Sequence, residues 1–236
     1  MLYRYATSRS GETPKDVLKD SKGLLTVDQH SGYNAVSAPG SRIRGGCLAH
    51  ARRRIFEARA LPETQEPLAW IRDLYLIERR AKKNDILHSP EHLALRKRES
   101  RPLFAKLLVW ARKHRRLTEP RSLLGRAAGY IVRHFRDLGR FLRQAELRLD
   151  NNRAEAALRP VALGRKNYLF VGSEEAGKHI AALYTLVATC ELHKVDPHEY
   201  ITDVLRRVQS HPAAEVAELL PYRWKLLIMR PPTPER

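Results

Sequence analysis

The first 56 residues alternate short apolar runs with polar turns. Leu2 to Thr7, with two tyrosines, reads as a strand. Thr13-Pro14 predicts a helix start, a cap residue followed by Pro at the first helical position, with Val17 and Leu18 on the apolar face. Gly23-Leu24-Leu25-Thr26-Val27 has the pattern of a buried strand ending at Asp28, and Gly32 to Val36 that of a turn or short helix. Arg42 to Leu48 is a third strand, weakened by Gly45-Gly46. The βαβαβ rhythm predicts an α/β layer. From Ala49 to about Arg148 the period becomes helical. Ile71, Leu74, Tyr75 and Glu78 make one stripe, Leu103, Phe104, Leu107, Leu108 and Ala111 a second. Tyr130, Ile131, His134, Phe135, Leu138, Phe141 and Leu142 make a third.

After Leu149, the run Asp150-Asn151-Asn152-Arg153-Ala154-Glu155 is a helix-start signal, with Asn152 and Glu155 at capping-box spacing. Pro160 kinks or ends that helix. Asn167 to Val171 reads as extended. Ile180, Leu183, Val187 and Cys190 share one face of a later helix. Asp196-Pro197-His198-Glu199 caps another, with Tyr200, Val204, Leu205 and Val208 as its apolar positions. The Pro-rich end, Arg230-Pro231-Pro232-Thr233-Pro234, predicts a disordered tail. No internal repeat is present.

Composition narrows the function. Of 236 residues, 43% are hydrophobic, enough for a real core, and 44 Lys/Arg against 26 Asp/Glu give +18. Such an excess favours a polyanionic partner, most often nucleic acid. Arg52 to Arg116 alone holds 18 Lys/Arg and 8 Asp/Glu, +10 of that total. Any one of these side chains can be a solvated surface charge; the cluster as a whole points to phosphate contact. Cys47 and Cys190 cannot make a disulfide framework, which fits a reducing compartment. The start lacks an apolar leader, and Ile180 to Cys190 is too short to span a bilayer, so a cytoplasmic protein is expected.

Three chemistries can be weighed from residues. Cys47-x-x-His50 and Cys190-x-x-His193 would make a zinc site if they met, but each Cys also stands where a buried Cys is ordinary. No phosphate-binding G-x-x-x-x-G-K-[ST] loop and no G-x-S-x-G elbow occur. Asp28 at a strand end and Glu155 in a helix's first turn are candidates to hold divalent metal for phosphoryl transfer. The alternatives are that Asp28 caps the following turn and that Glu155 only partners Asn152.

The segment from Asp150 to Pro160, continuing through Gly164-Arg165-Lys166-Asn167-Tyr168-Leu169-Phe170-Val171-Gly172-Ser173, resembles the signature of the insertion-sequence 66 family of bacterial transposases. Gly23 to Asp28 with Gly32-Tyr33 resembles the family's strand and catalytic Asp. Gly46-Cys47-Leu48-Ala49-His50-Ala51-Arg52-Arg53 resembles its Gly-Cys-Trp-Ala-His-Ala-Arg-Arg block. The Asp196-Pro197 helix and Leu219-Leu220-Pro221 fit its end. The resemblance implies an RNase H-like core with a DDE triad and two Mg²⁺ or Mn²⁺ ions that activate water or a 3′-hydroxyl. Asp28 is then the second acid and Glu155 the third, 127 positions apart. Arg52, Arg53, Arg153, Arg165 and Lys166 become candidates for the DNA backbone. Transposon ends and target DNA are the implied partners, bound by a homo-oligomer in the bacterial nucleoid.

The resemblance has departures. Gln29 follows Asp28 where the family usually has Gly, and Ala156 follows Glu155 where it usually has Arg. The family's first Asp lies upstream of the matching segment, and Glu12, Asp16 or Asp20 can be imagined as substitutes. The expected fold class is therefore α/β, an incomplete RNase H-like core equivalent to its strands 3–5, with a large helical insertion and C-terminal helices. The expected division is 1–56 as α/β core, 57–148 as basic helical insertion, 149–225 as the remaining core and C-terminal helices, and 226–236 as tail. The expected function is transposition as the C-terminal part of a DDE transposase, incomplete alone. The alternative is a non-catalytic DNA-binding regulator or an inactive remnant.

Overall fold

The computed structural model describes residues 2–8, 10–38, 40–168 and 170–228. They form two compact units, one within residues 9–158 and one within residues 1–8 and 159–236.

In the first unit, α1 (Glu12–Leu18) precedes β1 (Gly23–Val27), two 3₁₀ turns, and β2 (Arg42–Gly46). The strands pair in parallel, with Val27 opposite Gly46. Arg42 ties this layer together: its guanidinium donates to the carbonyls of Leu18, Lys19 and Val36 and to Ser21 Oγ. Gly45-Gly46, which weakens the strand on propensity, is a packing requirement. A Cβ on Gly46 would lie 2.9 Å from the backbone nitrogen of Leu138. Among the described residues the sheet has two strands, not three. Leu2 to Thr7 is irregular and belongs to the other unit, where the Tyr3 N–H donates to Thr185 Oγ1 at 2.9 Å. A side-chain hydroxyl, not a strand edge, takes that backbone donor.

Helices then dominate: α2 (Leu48–Glu57), α3 (Gln65–Lys83), α4 (Pro90–Leu95), α5 (Arg101–Leu117) and α6 (Leu123–Leu138). α6 packs against α2 and α5, and α3 against α2 and α5. The predicted stripes become the core: Ile71 and Leu74 of α3, Phe104, Leu107 and Ala111 of α5, Ile131 and Leu138 of α6. Gly125, Ala127 and Ala128 keep the buried face of α6 narrow, so neighbouring helices approach closely. A π-helical turn, Arg96–Ser100, joins α4 to α5 and buries both Arg96 and Ser100.

Arg96 is 1% exposed. It donates from Nε to Glu78 Oε1 at 2.8 Å and from Nη2 to Glu78 Oε2 at 2.6 Å. It also donates to the carbonyls of Phe141, Gln144, Ala145 and Leu147 at 2.9–3.1 Å. Fully buried His92 completes the group, its Nε2 lying 3.1 Å from Glu78 Oε1 while its Nδ1 accepts the His88 N–H. That ring is neutral, and burial holds its pKa below the ordinary value. Burial does the same to His114 and His134.

The first unit ends with α7 (Asn152–Ala157). The second contains α8 (Arg159–Gly164), α9 (Glu174–Leu192), α10 (Pro197–Arg207) and α11 (Pro221–Ile228). The helix break expected at Pro160 falls at Leu158, and Pro160 opens α8. Asp196 caps α10 as expected, accepting from His198 and Glu199. The core here is small: Cys190, Val195, Tyr200 and Trp224, with Tyr200 and Trp224 edge-to-face. Leu183 and Leu205, expected on apolar faces, are exposed. The expected tail overlaps α11 up to Ile228, and Arg230 to Pro234 lies outside the described residues. No helix among the described residues is long and apolar enough to cross a membrane.

Two outcomes follow. Arg96→Ala should destabilise the first unit by about 3–5 kcal/mol, since it leaves Glu78 and four buried carbonyls without their donor; urea unfolding measures this. Stability should also fall on acidification. The folded pKa values of His92, His114 and His134 are depressed, so their contribution is full above the unfolded value near 6.5 and is lost as pH falls through the lower folded values. The slope is at most about 1.4 kcal/mol per pH unit for each ring. A flat urea midpoint from pH 8 to 5 would contradict it.

Candidate functional site

β1 delivers Asp28 at its carboxyl end, one residue beyond the Val27–Gly46 pair. Asp28 Oδ1 accepts the His30 N–H at 3.1 Å, so the turn-capping role is real. It occupies one oxygen; Oδ2 has no hydrogen-bond partner among the described residues. Gln29 between them adopts φ 70°, the left-handed region that suits Gly, and thereby explains the residue type the family resemblance expects there.

β2 runs through Cys47 into α2, which carries His50. The Leu48 N–H donates to the Leu149 carbonyl at 2.8 Å, stitching the start of α2 to the segment that leads into α7. Tyr75 of α3 donates to Asp150 Oδ2 at 2.6 Å. Burial and the adjacent Asp150 push the Tyr75 pKa well up, which keeps it a donor. Asp150 Oδ1 then accepts the Asn152 N–H at 3.1 Å, and Oδ2 accepts from Asn152 Nδ2 at 3.0 Å. The expected Asn152–Glu155 capping box does not form, because Asp150 takes the capping role. Glu155 is left facing His50, with Nε2 3.5 Å from Oε1.

Seven buried side-chain polar atoms have no hydrogen-bond partner among the described residues: Gln29 Nε2, which follows Asp28, His50 Nδ1, on the ring that faces Glu155, and Asn151 Oδ1, at the start of α7, together with Arg44 Nε, Ser100 Oγ, Tyr130 Oη and Arg207 Nε. Folded proteins satisfy nearly all such atoms, with water where no protein group reaches them. Burial raises the Tyr130 pKa to about 12, with nearby Cys47 and Asp28 adding and Arg54 and Arg44 opposing. The carboxylate donors are half-buried and oxygen-based, a set that fits Mg²⁺ or Mn²⁺ better than a thiophilic metal.

The zinc alternative gains nothing. Burial raises the pKa of both Cys47 and Cys190, opposite to what a thiolate ligand needs, and each is a core residue of its own unit. Among the described residues, the one group of three His, Cys, Asp or Glu with ligand atoms within 4.8 Å is His211, Glu215 and Glu218, which does not include Asp28 or Glu155. Arg52 and Arg53 are exposed on α2, Arg153 on α7, and Arg165 and Lys166 after α8. Arg96, counted in the basic cluster, is internal and unavailable to DNA.

Residues 1–179 match the Transposase IS66 family, and residues 185–222 match the IS66 C-terminal element. The chain belongs to the IS66 transposase family. It is 32% identical over 243 residues to the uncharacterized protein y4hP of Sinorhizobium fredii, an alignment covering 95% of this chain and 44% of that one. The uncharacterized proteins y4jD and y4qI of the same organism are each 28% identical, over 94% and 95% of this chain and 45% and 43% of theirs. The chain thus spans less than half the length of these relatives. No solved structure matches it.

Sequence reasoning missed Tyr75 and Asp150 as supports of the motif. The signal was present in α3: Tyr75 and Glu78, both polar-tipped, sit on an otherwise apolar stripe, which forces each to find a buried partner. Gln29→Gly should be neutral or stabilising by up to about 1 kcal/mol, because it relieves the left-handed backbone cost and removes an unpaired amide. Gln29→Val should be destabilising. Thermal unfolding of both variants checks the pair, and equal losses would remove the strain argument.

Proposed function

We propose that this chain is the part of an IS66 transposase that carries out metal-dependent DNA cleavage and strand transfer. Asp28 and Glu155 are the second and third acids of a DDE triad in an RNase H-like core. The observation that carries this is the set of contacts about the two acids. Asp28 leaves a parallel strand with one carboxylate oxygen engaged, Glu155 leaves the first turn of α7 toward His50, and the neighbouring Gln29 Nε2, Asn151 Oδ1 and His50 Nδ1 are buried without hydrogen-bond partners.

Asp28 and Glu155 would hold Mg²⁺ or Mn²⁺. Such ions, when bound, supply Lewis-acid stabilisation of the charge that develops on the attacked phosphate and an activated oxygen nucleophile. The chain's own residues do the positioning. The Asx turn fixes the Asp28 carboxylate through Oδ1 and leaves Oδ2 open. His50 orients the Glu155 carboxylate through Oε1. Tyr75 and Asp150 fix the start of α7, so Glu155 sits on a rigid base rather than a mobile loop. Arg52, Arg53 and Arg153, all exposed, contact the phosphodiester backbone, as do Arg165 and Lys166 from the second unit.

Mn²⁺ titration of the chain, followed by electron paramagnetic resonance, tests this. Asp28→Asn and Glu155→Gln should each weaken binding by at least about tenfold, about 1.4 kcal/mol. Unchanged Mn²⁺ affinity in both variants would overturn the assignment.

A further inference from the structure

A cavity of about 570 Å³ lies in the first unit between α5, the end of α6 and the turn at residues 140–143. Five cationic side chains line it: Lys97, Arg101, Arg136, Arg140 and Arg143. All five are exposed, and none has a carboxylate within 4.0 Å among the described residues. No acidic residue lines the cavity. The nearby acids are engaged elsewhere: Asp137 with Arg44 at 3.7 Å, Glu99 with Arg80 and Arg98. Five unpaired cations around one concavity repel one another and focus a positive field into it.

The floor has a different character. Phe104, Leu108 and Phe135 supply it. Phe104 reaches the surface of this hollow because residue 139 is Gly; a Cβ there would lie 2.8 Å from the Phe104 ring. Arg112 and Arg136 both lie over the Phe135 ring, at 5.9 and 6.0 Å from its centroid. A cationic rim alone suits any polyanion. A cationic rim over an aromatic floor suits a ligand with a phosphate at one end and a flat apolar face at the other. Duplex DNA offers phosphates and the edges of its bases, but the base faces are stacked inside. An unpaired nucleotide offers a phosphate and a free base face together.

We propose that this cavity binds a single unpaired nucleotide of a DNA strand, its phosphates held by Arg140 and Arg143 on one wall and by Lys97 and Arg101 on the other, its base stacked on the floor that Phe135 and the Arg136 guanidinium over it make together. This rests on the reading of the chain as acting on DNA, and it names a strand-binding site apart from the acids Asp28 and Glu155. The residues that form it lie on the π-helical turn at Arg96–Ser100, on α5, on α6 and in the turn after α6, whereas Asp28 follows β1 and Glu155 lies on α7.

The test compares the full chain with Arg140→Glu/Arg143→Glu and, on the opposite wall, Lys97→Glu/Arg101→Glu. All four positions are exposed, so the core is untouched, and two independent variants guard against misfolding of one. Each is titrated with a fully paired duplex and with a duplex carrying one unpaired 2-aminopurine, at two salt concentrations. The wild type should prefer the unpaired substrate by tenfold or more, with a fluorescence change that reports stacking. Both variants should lose that preference, and their salt slope should fall by about 1. Equal affinity of wild type and both variants for the unpaired substrate would overturn the proposal while leaving the DNA-acting reading intact. So would quantitatively equal binding of both substrates without a fluorescence change, which would assign the cavity to duplex backbone. No binding of either substrate by the wild type at low salt would sink both readings.

Discussion

Arg96 is the constraint on which the first unit depends. A guanidinium buried to 1% exposure cannot shed its charge, so every donor must be satisfied inside the protein. Glu78 takes two of its bonds and cancels its charge, and four carbonyls between Phe141 and Leu147 take the rest. Those carbonyls belong to a stretch with little regular structure, where no helix or sheet would otherwise satisfy them. The stretch leads directly into Leu149, whose carbonyl receives the Leu48 N–H, and Asp150, which receives the Tyr75 hydroxyl. One buried ion pair therefore fixes the approach to α7, and with it Glu155, against α3 and the start of α2.

Much of this was legible in the sequence, and the exceptions have physical causes. The helical stripes of α3, α5 and α6 survive because a period of 3.6 over many residues leaves little freedom. β1 survives as a short apolar run, and β2 survives despite its glycines but stops at Gly46, because Leu48 opens α2 instead of ending the strand. Leu2 to Thr7 does not: its tyrosines satisfy strand propensity, but the partner for its backbone is Thr185, and nothing local encodes a contact 182 positions away. The Asn152–Glu155 capping box fails because Asp150, two positions earlier and pinned by Tyr75, takes the Asn152 N–H that the Glu155 carboxylate would need. Arg96 sits in the run Arg96-Lys97-Arg98, where composition cannot separate the inward residue from its two exposed neighbours; the π-helical turn makes the distinction. For the candidate site, Asp28, His50 and Glu155 were each visible as residues, but the contact of His50 with Glu155 was not, since it depends on that displaced cap.

The net charge of +18 divides accordingly. Arg42 and Arg96 are internal fasteners that hold backbone carbonyls, and Arg54 covers the Tyr130 ring at 4.7 Å. These would be present in a protein with no anionic partner. The exposed cations of α2, and those at the junction of α5 and α6, have no comparable internal role. Their accumulation opposes the compact state through mutual repulsion, an effect that salt or a bound polyanion reduces. Sequence charge alone overstates the surface available to DNA and understates how unevenly it is placed.

The arrangement around Asp28 and Glu155 follows from the same separation of roles. A two-stranded parallel sheet is too small to be rigid by itself. Here it is held from outside, by Arg42 at the entry of β2 and by the close approach of Gly46 to Leu138 on α6. Glu155 is held from outside too, through Asp150, Tyr75 and His50. Both carboxylates thus keep one oxygen engaged with the protein, while the rigidity comes from residues a turn or a strand away. Buried atoms left unpaired beside them, at Gln29, His50 and Asn151, are costly in a folded core, on the order of 1–3 kcal/mol each. The Arg96 guanidinium has all its donors satisfied, whereas Ser100 Oγ in the same π-helical turn and Arg207 Nε have no hydrogen-bond partner among the described residues. An unpaired buried atom is therefore no mark of a ligand by itself; those of Gln29, Asn151 and His50 differ in that Gln29 follows Asp28, the Asn151 carbonyl accepts the Glu155 N–H, and His50 faces the Glu155 carboxylate.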